Sequence, residues 1–241
     1  MFAATLTLGV SSQAFAQKSD AEIQTEVSKA LGNSRFSGVH ADVHNGVVVL
    51  QGNVGLYSAK EDADKKVHHV HGVQAVQNEI EVGGQGVANV EDATLARKLS
   101  EKIAYDRVGY GTTAYNSIHI AVNNGVVQLS GTVYGPVDKD AAVSDVANFP
   151  GVRDVIDNIE VAPVSLMDDQ TRVAVYRAVY GAPNLNRYAI DPAKPIRIVV
   201  INGNVTLEGA VNSAMDKQVA GIRANGVPGV FKVTNNLEVV K

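Results

Sequence analysis

Arginine and tyrosine residues are concentrated in the last third of the chain, in a pattern that could bind an anionic surface. These residues are Arg172, Tyr176, Arg177, Tyr180, Arg187 and Tyr188. Arg172, Tyr176 and Tyr180 are four residues apart, so a helix would place them on one face. Arginine pairs with phosphate and tyrosine lies at headgroup level, so we expect the six to bind anionic phospholipid. In the alternative, the tyrosines cover the edge of a hydrophobic core and the arginines are solvated.

Charge is distributed unevenly along the chain, and the net positive charge lies in the last third, where the arginines and tyrosines are concentrated. The whole chain has a net charge of −4. Residues 17–86 contribute −3 and residues 87–165 contribute −4, whereas residues 166–241 contribute +3. Proteins that bind nucleic acid in general carry a net positive charge, whereas the net charge of this chain is negative. We therefore do not expect nucleic acid as a partner.

Five histidines in the first third are the residues that could ligate a metal. They are His40, His44, His68, His69 and His71. The first two would share one face of a strand, but the other three point in several directions, and a metal site needs convergent ligands. The chain also has no cysteine. We therefore expect no metal site.

No residue pattern indicates an enzyme. The serines lie in helix caps and linkers, not at the strand-to-helix turn that presents a nucleophile. No glycine-rich segment ends in the Gly-Lys-Ser/Thr of a phosphate-binding loop. We expect neither catalysis nor a bound cofactor.

One ten-residue block occurs three times. It reads NGVVVLQGNV from residue 45, NGVVQLSGTV from residue 124 and NGNVTLEGAV from residue 202, so the copies are 79 and 78 residues apart. A Gly-Val-x-x-Val block keeps the same step at residues 72, 151 and 229. An apolar-Glu-Val triplet begins eight residues after each of those glycines. Such a constant step indicates one unit repeated in tandem.

The same helices and strands are predicted in each repeat. Apolar residues four apart, such as Leu95, Leu99 and Ile103, predict a first helix. Asn-Gly between two β-prone runs predicts a hairpin, because both turn residues need a positive φ. A second helix and a third strand follow. The prediction is an α+β fold of tandem αββαβ units at residues 17–83, 88–162 and 167–241. Each unit is a three-stranded sheet with two helices packed on one face.

The third repeat has features of its own. Asp168 and Asp169 are predicted to cap a helix over residues 170–180, and the last strand is predicted to run unbroken over residues 230–240. An insertion at residues 181–195 contains three of the seven prolines. Long loops on a compact scaffold often carry function.

Nine glycines recur at matching positions and are expected to be structural. They are Gly46, Gly52, Gly72, Gly125, Gly131, Gly151, Gly203, Gly209 and Gly229. Glycine within a strand marks a tight bend or a close approach of two backbones. That explanation is favoured over ligand binding.

Residues 1–16 are predicted to be an export signal. Phe2 to Val10 is a short apolar run, and Ala14-Phe15-Ala16 is a small-x-small cleavage site. The run is too short to span a bilayer. We therefore expect cleavage after Ala16, a periplasmic location and no transmembrane segment.

The Asn-Gly-x-Val-x-Leu-x-Gly-x-Val and Gly-Val-x-x-Val blocks resemble those of the BON domain, a small bacterial module. The resemblance covers most of residues 20–240 in three copies. It implies an αββαβ unit, usually in the periplasm or cell envelope, without enzymatic activity and in some members in contact with anionic phospholipid.

On this basis we expect an exported envelope protein whose third repeat binds anionic phospholipid peripherally, with a role in osmotic or envelope stress. The alternative is a periplasmic protein-interaction or chaperone-like module that engages other envelope proteins. Binding of a small ion ranks below both.

Overall fold

The computed structural model describes residues 18–83, 90–106, 111–193 and 195–240. The predicted export signal lies outside these ranges. Within them, no helix is long and apolar enough to cross a membrane. The chain forms two compact units. The first runs to Gly52 and includes Glu61–Ile80, and the second contains Asn53–Lys60 and the chain from Glu81 onward.

The first repeat has the predicted order of elements. They are α1 (Asp20–Ala30), β1 (Val39–His44), β2 (Val47–Val54), α2 (Tyr57–His68) and β3 (Ala75–Val82). A reciprocal capping box begins α1: the Ser19 hydroxyl accepts from the N–H of Glu22, and the Glu22 carboxylate accepts from the N–H of Ser19. The strand order is β1-β2-β3, with the second hairpin strand in the centre.

The second repeat shows how one face of the sheet becomes the core. Its elements are α3 (Asp92–Asp106), β4 (Ser117–Asn123), β5 (Val126–Val133), α4 (Pro136–Ala147) and β6 (Asp154–Val161). The central strand β5 is antiparallel to β4 and parallel to β6. Val127 and Leu129 of β5 are fully buried in one cluster with Leu95 and Leu99 of α3 and Val146 of α4. Both helices therefore cover the same face, as predicted.

The third repeat has the same order of helices and strands, but its strands form two separate sheets. Its elements are α5 (Leu166–Tyr180), β7 (Arg197–Ile201), β8 (Asn204–Glu208), β9 (Ala210–Val211), α6 (Ala214–Asn225), β10 (Lys232–Asn235) and β11 (Glu238–Val239). One sheet has the order β10-β8-β7, and β9 pairs with β11 in a second. The prediction of one unbroken last strand is wrong. Gly209, with a φ of 111°, separates β8 from β9, and the partner strand is divided at the same level.

The start of α5 also differs from the prediction. The helix begins at Leu166, and the Ser165 hydroxyl caps it by accepting from the N–H of Asp168 at 3.2 Å. Asp168 and Asp169 lie inside the helix and do not cap it. The Asp168 carboxylate is engaged with the hairpin turn.

All three hairpins turn at an asparagine in the left-handed region. Asn45, Asn124 and Asn202 each have a φ of 51°, and the glycines that follow have φ values of 74°, 77° and 73°. Two successive positive φ values define the type I′ turn, whose twist matches that of the flanking strands.

One aspartate of the first helix binds each turn. The carboxylate of Asp20 accepts from the N–H groups of Asn45 (2.7 Å) and Gly46 (2.9 Å). Asp92 binds the next turn at 2.7 and 3.0 Å, and Asp168 binds the third at 2.8 Å in both contacts. The bonds from Gly46 and Asn45 hold the pKa of Asp20 below its ordinary value. The helix and hairpin of each repeat are thus joined by a charged acceptor.

Three of the recurring glycines lie against a neighbouring backbone. A Cβ on Gly52, Gly131 or Gly209 would lie 2.0, 2.2 or 2.6 Å from the carbonyl oxygen of residue 38, 117 or 195, respectively. The φ values at these positions are 115°, 111° and 111°. Both the space and the backbone conformation favour glycine there.

Replacing Asp168 with alanine should lower the free energy of unfolding by roughly 2–3 kcal/mol. Two buried or half-buried backbone N–H groups lose a charged acceptor, and that loss is worth about this much. Urea denaturation followed by circular dichroism measures it. The exposed Asp140 of α4 provides the control, and Asp140→Ala should change stability by less than about 0.5 kcal/mol. Equal effects of the two substitutions would contradict the role given to Asp168.

Candidate functional site

The structure does not place the six predicted lipid-binding residues on one exposed face. Arg172, Tyr180 and Tyr188 are buried, with 3%, 7% and 6% of their surface exposed. Tyr176 is half-buried and packs against the core of the third repeat. Arg177 and Arg187 are the exposed members, and Arg187 is engaged in an ion pair. Arg172 and Tyr176 of the predicted stripe instead contact tyrosines of the second repeat.

Arg172 joins α5 to the edge strand of its own sheet and to the second repeat. Its guanidinium donates to the carbonyl oxygen of Val200 at 2.9 Å and forms an ion pair with Asp169. The same group lies 4.9 Å from the ring centroid of Tyr134 and 5.9 Å from that of Tyr115. Cation–π contacts at these distances are attractive, and more so where water is excluded. Arg172 is therefore a packing residue between repeats.

The tyrosines form a row of ring contacts that crosses from the second repeat to the third. Tyr115 lies 6.0 Å from Tyr134 and 6.1 Å from Tyr176, and Tyr176 lies 4.6 Å from Tyr180. The hydroxyl of Tyr180 donates to the carbonyl oxygen of Ile196 at 2.7 Å. Burial raises the pKa of Tyr180 and of Tyr115. The ring contacts between Tyr115 and Tyr176 stabilise the packing of the second repeat against the third.

Glu208 and Arg197 of the third repeat make further polar contacts with the second repeat. The Glu208 carboxylate of β8 accepts from the hydroxyl of Ser117 and lies 2.9 Å from Nε2 of His119, both in β4. The guanidinium of Arg197 donates to the carbonyl oxygen of Thr113. Burial opposes ionisation of Glu208, but the bond from Ser117 and the proximity of His119 hold its pKa below the ordinary value.

The insertion of the third repeat is anchored by a buried aspartate of α6. Asp216 accepts hydrogen bonds from the hydroxyl of Tyr188 (2.8 Å) and the amide of Asn184 (2.9 Å), and it forms an ion pair with Arg187. Burial alone would raise the pKa of Asp216. These bonds and one from Ser213 outweigh burial and hold that pKa below its ordinary value. Two of the six predicted residues are therefore used to hold the loop.

In the second repeat, the equivalent aspartate of the second helix also anchors the loop that precedes the first strand. Asp138 of α4 is 4% exposed and accepts from the hydroxyl of Thr112 at 2.8 Å and the amide of Asn116 at 3.1 Å. Asp138 and Asp216 both lie seven residues after a recurring glycine, Gly131 or Gly209. That equal spacing is a signal in the sequence that could have identified both aspartates.

Other side chains of the third repeat do present charge and apolar surface to solvent. Arg223 of α6 and Lys232 of β10 are exposed, as is Arg177 of α5. Met215 and Ile222 are 64% and 63% exposed, and Phe231 is 81% exposed. These six form the exposed basic and apolar set of the third repeat.

Two of the five histidines of the first repeat, His68 and His69, contact groups one turn back in the chain. Nδ1 of His68 lies 3.0 Å from the carboxylate of Asp64, one turn back in α2. Nδ1 of His69 lies 2.6 Å from the carbonyl oxygen of Lys65. Within the described ranges, no group of three or more metal-ligating side chains comes together.

A family model of the BON domain matches the chain at residues 19–84, 91–163 and 168–241. A comparison with curated protein sequences gives no match. Among solved structures, the chain is similar to CdsD, a structural protein of the type III secretion system of Chlamydia trachomatis. One CdsD structure is 15% identical over 91% of this chain and 92% of that chain. Another, of its C-terminal domain, is 15% identical over 90% and 96%. Both have a TM-score of 0.25, which is too low to transfer an arrangement or a function.

Replacing Arg172 with alanine should destabilise the protein by roughly 2–4 kcal/mol, because it removes a buried hydrogen bond and the packing of the guanidinium on Tyr134. Arg177 lies on the same helix but is exposed, so Arg177→Ala should change stability by less than about 0.5 kcal/mol. Thermal and urea unfolding of the two variants provide the comparison. A neutral Arg172→Ala variant would show that the contact between repeats does not depend on this side chain.

Proposed function

Because the chain belongs to the BON domain family, whose modules often occur in envelope proteins, we propose that it is a non-enzymatic envelope protein that binds anionic phospholipid peripherally through its third repeat. The general lack of catalysis in this family supports the non-enzymatic role. The binding surface is not the arginine–tyrosine stripe of α5, because most of that stripe is buried. It is the exposed basic and apolar set of the third repeat.

The observation that carries this proposal is the exposed positive charge of the third repeat. Residues 166–241 contribute +3 to a chain whose net charge is −4. Arg177, Arg223 and Lys232 are exposed, and none of them has a carboxylate partner within the described part of the chain. Basic side chains without internal partners are available to phosphate groups.

Large apolar side chains lie beside these basic residues in the sequence. Met215 and Ile222 are seven residues apart in α6 and so share one face, and Arg223 follows Ile222 directly. Phe231 precedes Lys232 in the same way. Exposed apolar side chains next to basic ones can enter the headgroup region while the charges contact phosphate.

The expected affinity is modest. A lysine or arginine near an anionic surface contributes about 1 kcal/mol, so three of them contribute roughly 3 kcal/mol. That corresponds to a preference on the order of a hundredfold for anionic over neutral lipid. Salt screens charges that are exposed to solvent, so the binding should weaken as ionic strength rises. Attachment of this kind is reversible.

The proposal includes a periplasmic location and a role in osmotic or envelope stress. Its support is the frequent occurrence of the family in the envelope, together with the signal-like pattern of residues 1–16. Amino-terminal sequencing of the protein recovered from a periplasmic extract should begin at Gln17. Recovery in the cytoplasmic fraction with residues 1–16 retained would contradict export.

Co-sedimentation with vesicles tests lipid binding. The protein should pellet with vesicles of phosphatidylcholine and phosphatidylglycerol at low salt, and should remain in solution with phosphatidylcholine alone. Charge reversal in Arg177→Glu with Arg223→Glu should reduce the bound fraction at least tenfold, because two attractive charges become repulsive.

The matched control reverses two exposed basic residues of the second repeat, Lys98→Glu with Arg153→Glu. This variant makes the same change in net charge and should retain most of the binding. Equal loss in both variants would show that only net charge matters and not the third repeat. Equal partitioning onto neutral vesicles would exclude the phospholipid role and favour the protein-interaction alternative.

A further inference from the structure

Three large apolar side chains are exposed on two segments of the third repeat that are far apart in the sequence. Leu166 and Met167, in the first turn of α5, are 79% and 70% exposed. Phe231, directly before β10, is 81% exposed. A single exposed apolar residue is ordinary, but several brought together indicate an interaction surface. The contacts of these two segments show that they are brought together.

Both segments are fixed to the third hairpin turn. Asp168 directly follows Met167, and its carboxylate accepts from the N–H groups of Asn202 and Gly203, both at 2.8 Å. The N–H of Phe231 donates to the carbonyl oxygen of Gly203 at 2.9 Å. The ring of Phe231 lies beside the same glycine, because a Cβ added to Gly203 would be 2.5 Å from its Cδ2 atom. Leu166, Met167 and Phe231 therefore lie at one end of the repeat, and we call them the apolar turn end.

The corresponding positions of the first two repeats are mostly polar. The residue that lies beside the turn glycine is Gln74 in the first repeat and Arg153 in the second, where the third repeat has Phe231. The two residues before the turn-binding aspartate are lysine and serine in the first repeat, and valine and glutamate in the second. That valine, Val90, is half-buried against its own core. The common fold therefore does not require an exposed apolar turn end.

The charges beside the apolar turn end favour an anionic partner. Lys232 directly follows Phe231 and is exposed. The two acidic residues after Met167 are both bonded within the protein: Asp168 is 3% exposed and binds the turn, and Asp169 forms an ion pair with Arg172. The lysine is thus available to a phosphate group, while the neighbouring carboxylates are already engaged.

We propose that the apolar turn end inserts into the headgroup region of an anionic phospholipid bilayer while Lys232 contacts phosphate. This inference rests on the proposed phospholipid binding and identifies the element that enters the bilayer. A bilayer fits because the three side chains are exposed to solvent on two separate segments, whereas an apolar helix of a partner protein would need a groove. Leucine and phenylalanine are typical of surfaces that lie in the bilayer interface. Burial of apolar side chains also adds an attraction that salt does not screen.

Tryptophan fluorescence tests the insertion, because the chain contains no tryptophan. In the full-length Phe231→Trp variant, the single indole lies at the apolar turn end. With vesicles of phosphatidylcholine and phosphatidylglycerol, its emission should move to shorter wavelength, and phospholipid brominated on the acyl chains should quench it. Val137→Trp is the matched control. Val137 is 61% exposed on α4 of the second repeat, so an indole there should show neither change.

Co-sedimentation with the same vesicles provides a second measurement that changes no charge. Met167→Ser with Phe231→Ser should weaken binding roughly tenfold, because partial burial of two large apolar side chains contributes at least that much. Val137→Ser with Ile156→Ser removes two exposed apolar side chains of the second repeat and should retain the binding.

The outcomes separate this inference from the proposed function. If the original chain pellets with anionic vesicles but the indole of Phe231→Trp is not quenched, or both serine variants bind equally well, insertion is overturned and phospholipid binding through charge stands. If the original chain does not pellet with anionic vesicles at low salt, both proposals are overturned.

Discussion

The fold depends on the bond between one helical aspartate and the backbone of one hairpin turn. In each repeat, a carboxylate at the start of the first helix accepts from both N–H groups of an Asn-Gly pair. The turn residues need positive φ values, and the carboxylate holds them in that conformation. Because the helix is thereby fixed relative to the hairpin, its apolar stripe faces one side of the sheet. The core of every repeat follows from that orientation.

The second and third repeats keep this arrangement and differ in what lies beyond it. Each has a buried aspartate, Asp138 or Asp216, that anchors the loop before its first strand. The bonded groups are small in the second repeat, whereas the third uses tyrosine and arginine. Two tyrosines in α5 correspond to Ser100 and Ala104 in α3. The repeats have therefore diverged in how they fill the end of the core and not in how they fold.

Much of the fold could be predicted from the sequence because the determining signals are local. The position of all three turns follows from the Asn-Gly pairs, and the structure has them as predicted. The role of Asp168 could not be found in this way, because an aspartate near a helix start is equally explained by capping. The stripe of Arg172, Tyr176 and Tyr180 was assigned to a helix face correctly. Whether that face meets solvent or another repeat depends on tertiary packing, which periodicity does not contain.

The bonds described above differ widely in the length of chain that they span. The aspartate–turn bonds join residues 25 to 35 positions apart, whereas the contacts of Arg197 with Thr113 and of Glu208 with Ser117 join residues 84 and 91 positions apart. As the chain emerges during synthesis or export, each repeat can close its own turn before the next has appeared. The long-range contacts form only after the third repeat has folded. The packing of the second repeat against the third is therefore completed last, and an interrupted chain would contain folded modules that are not yet joined by these contacts.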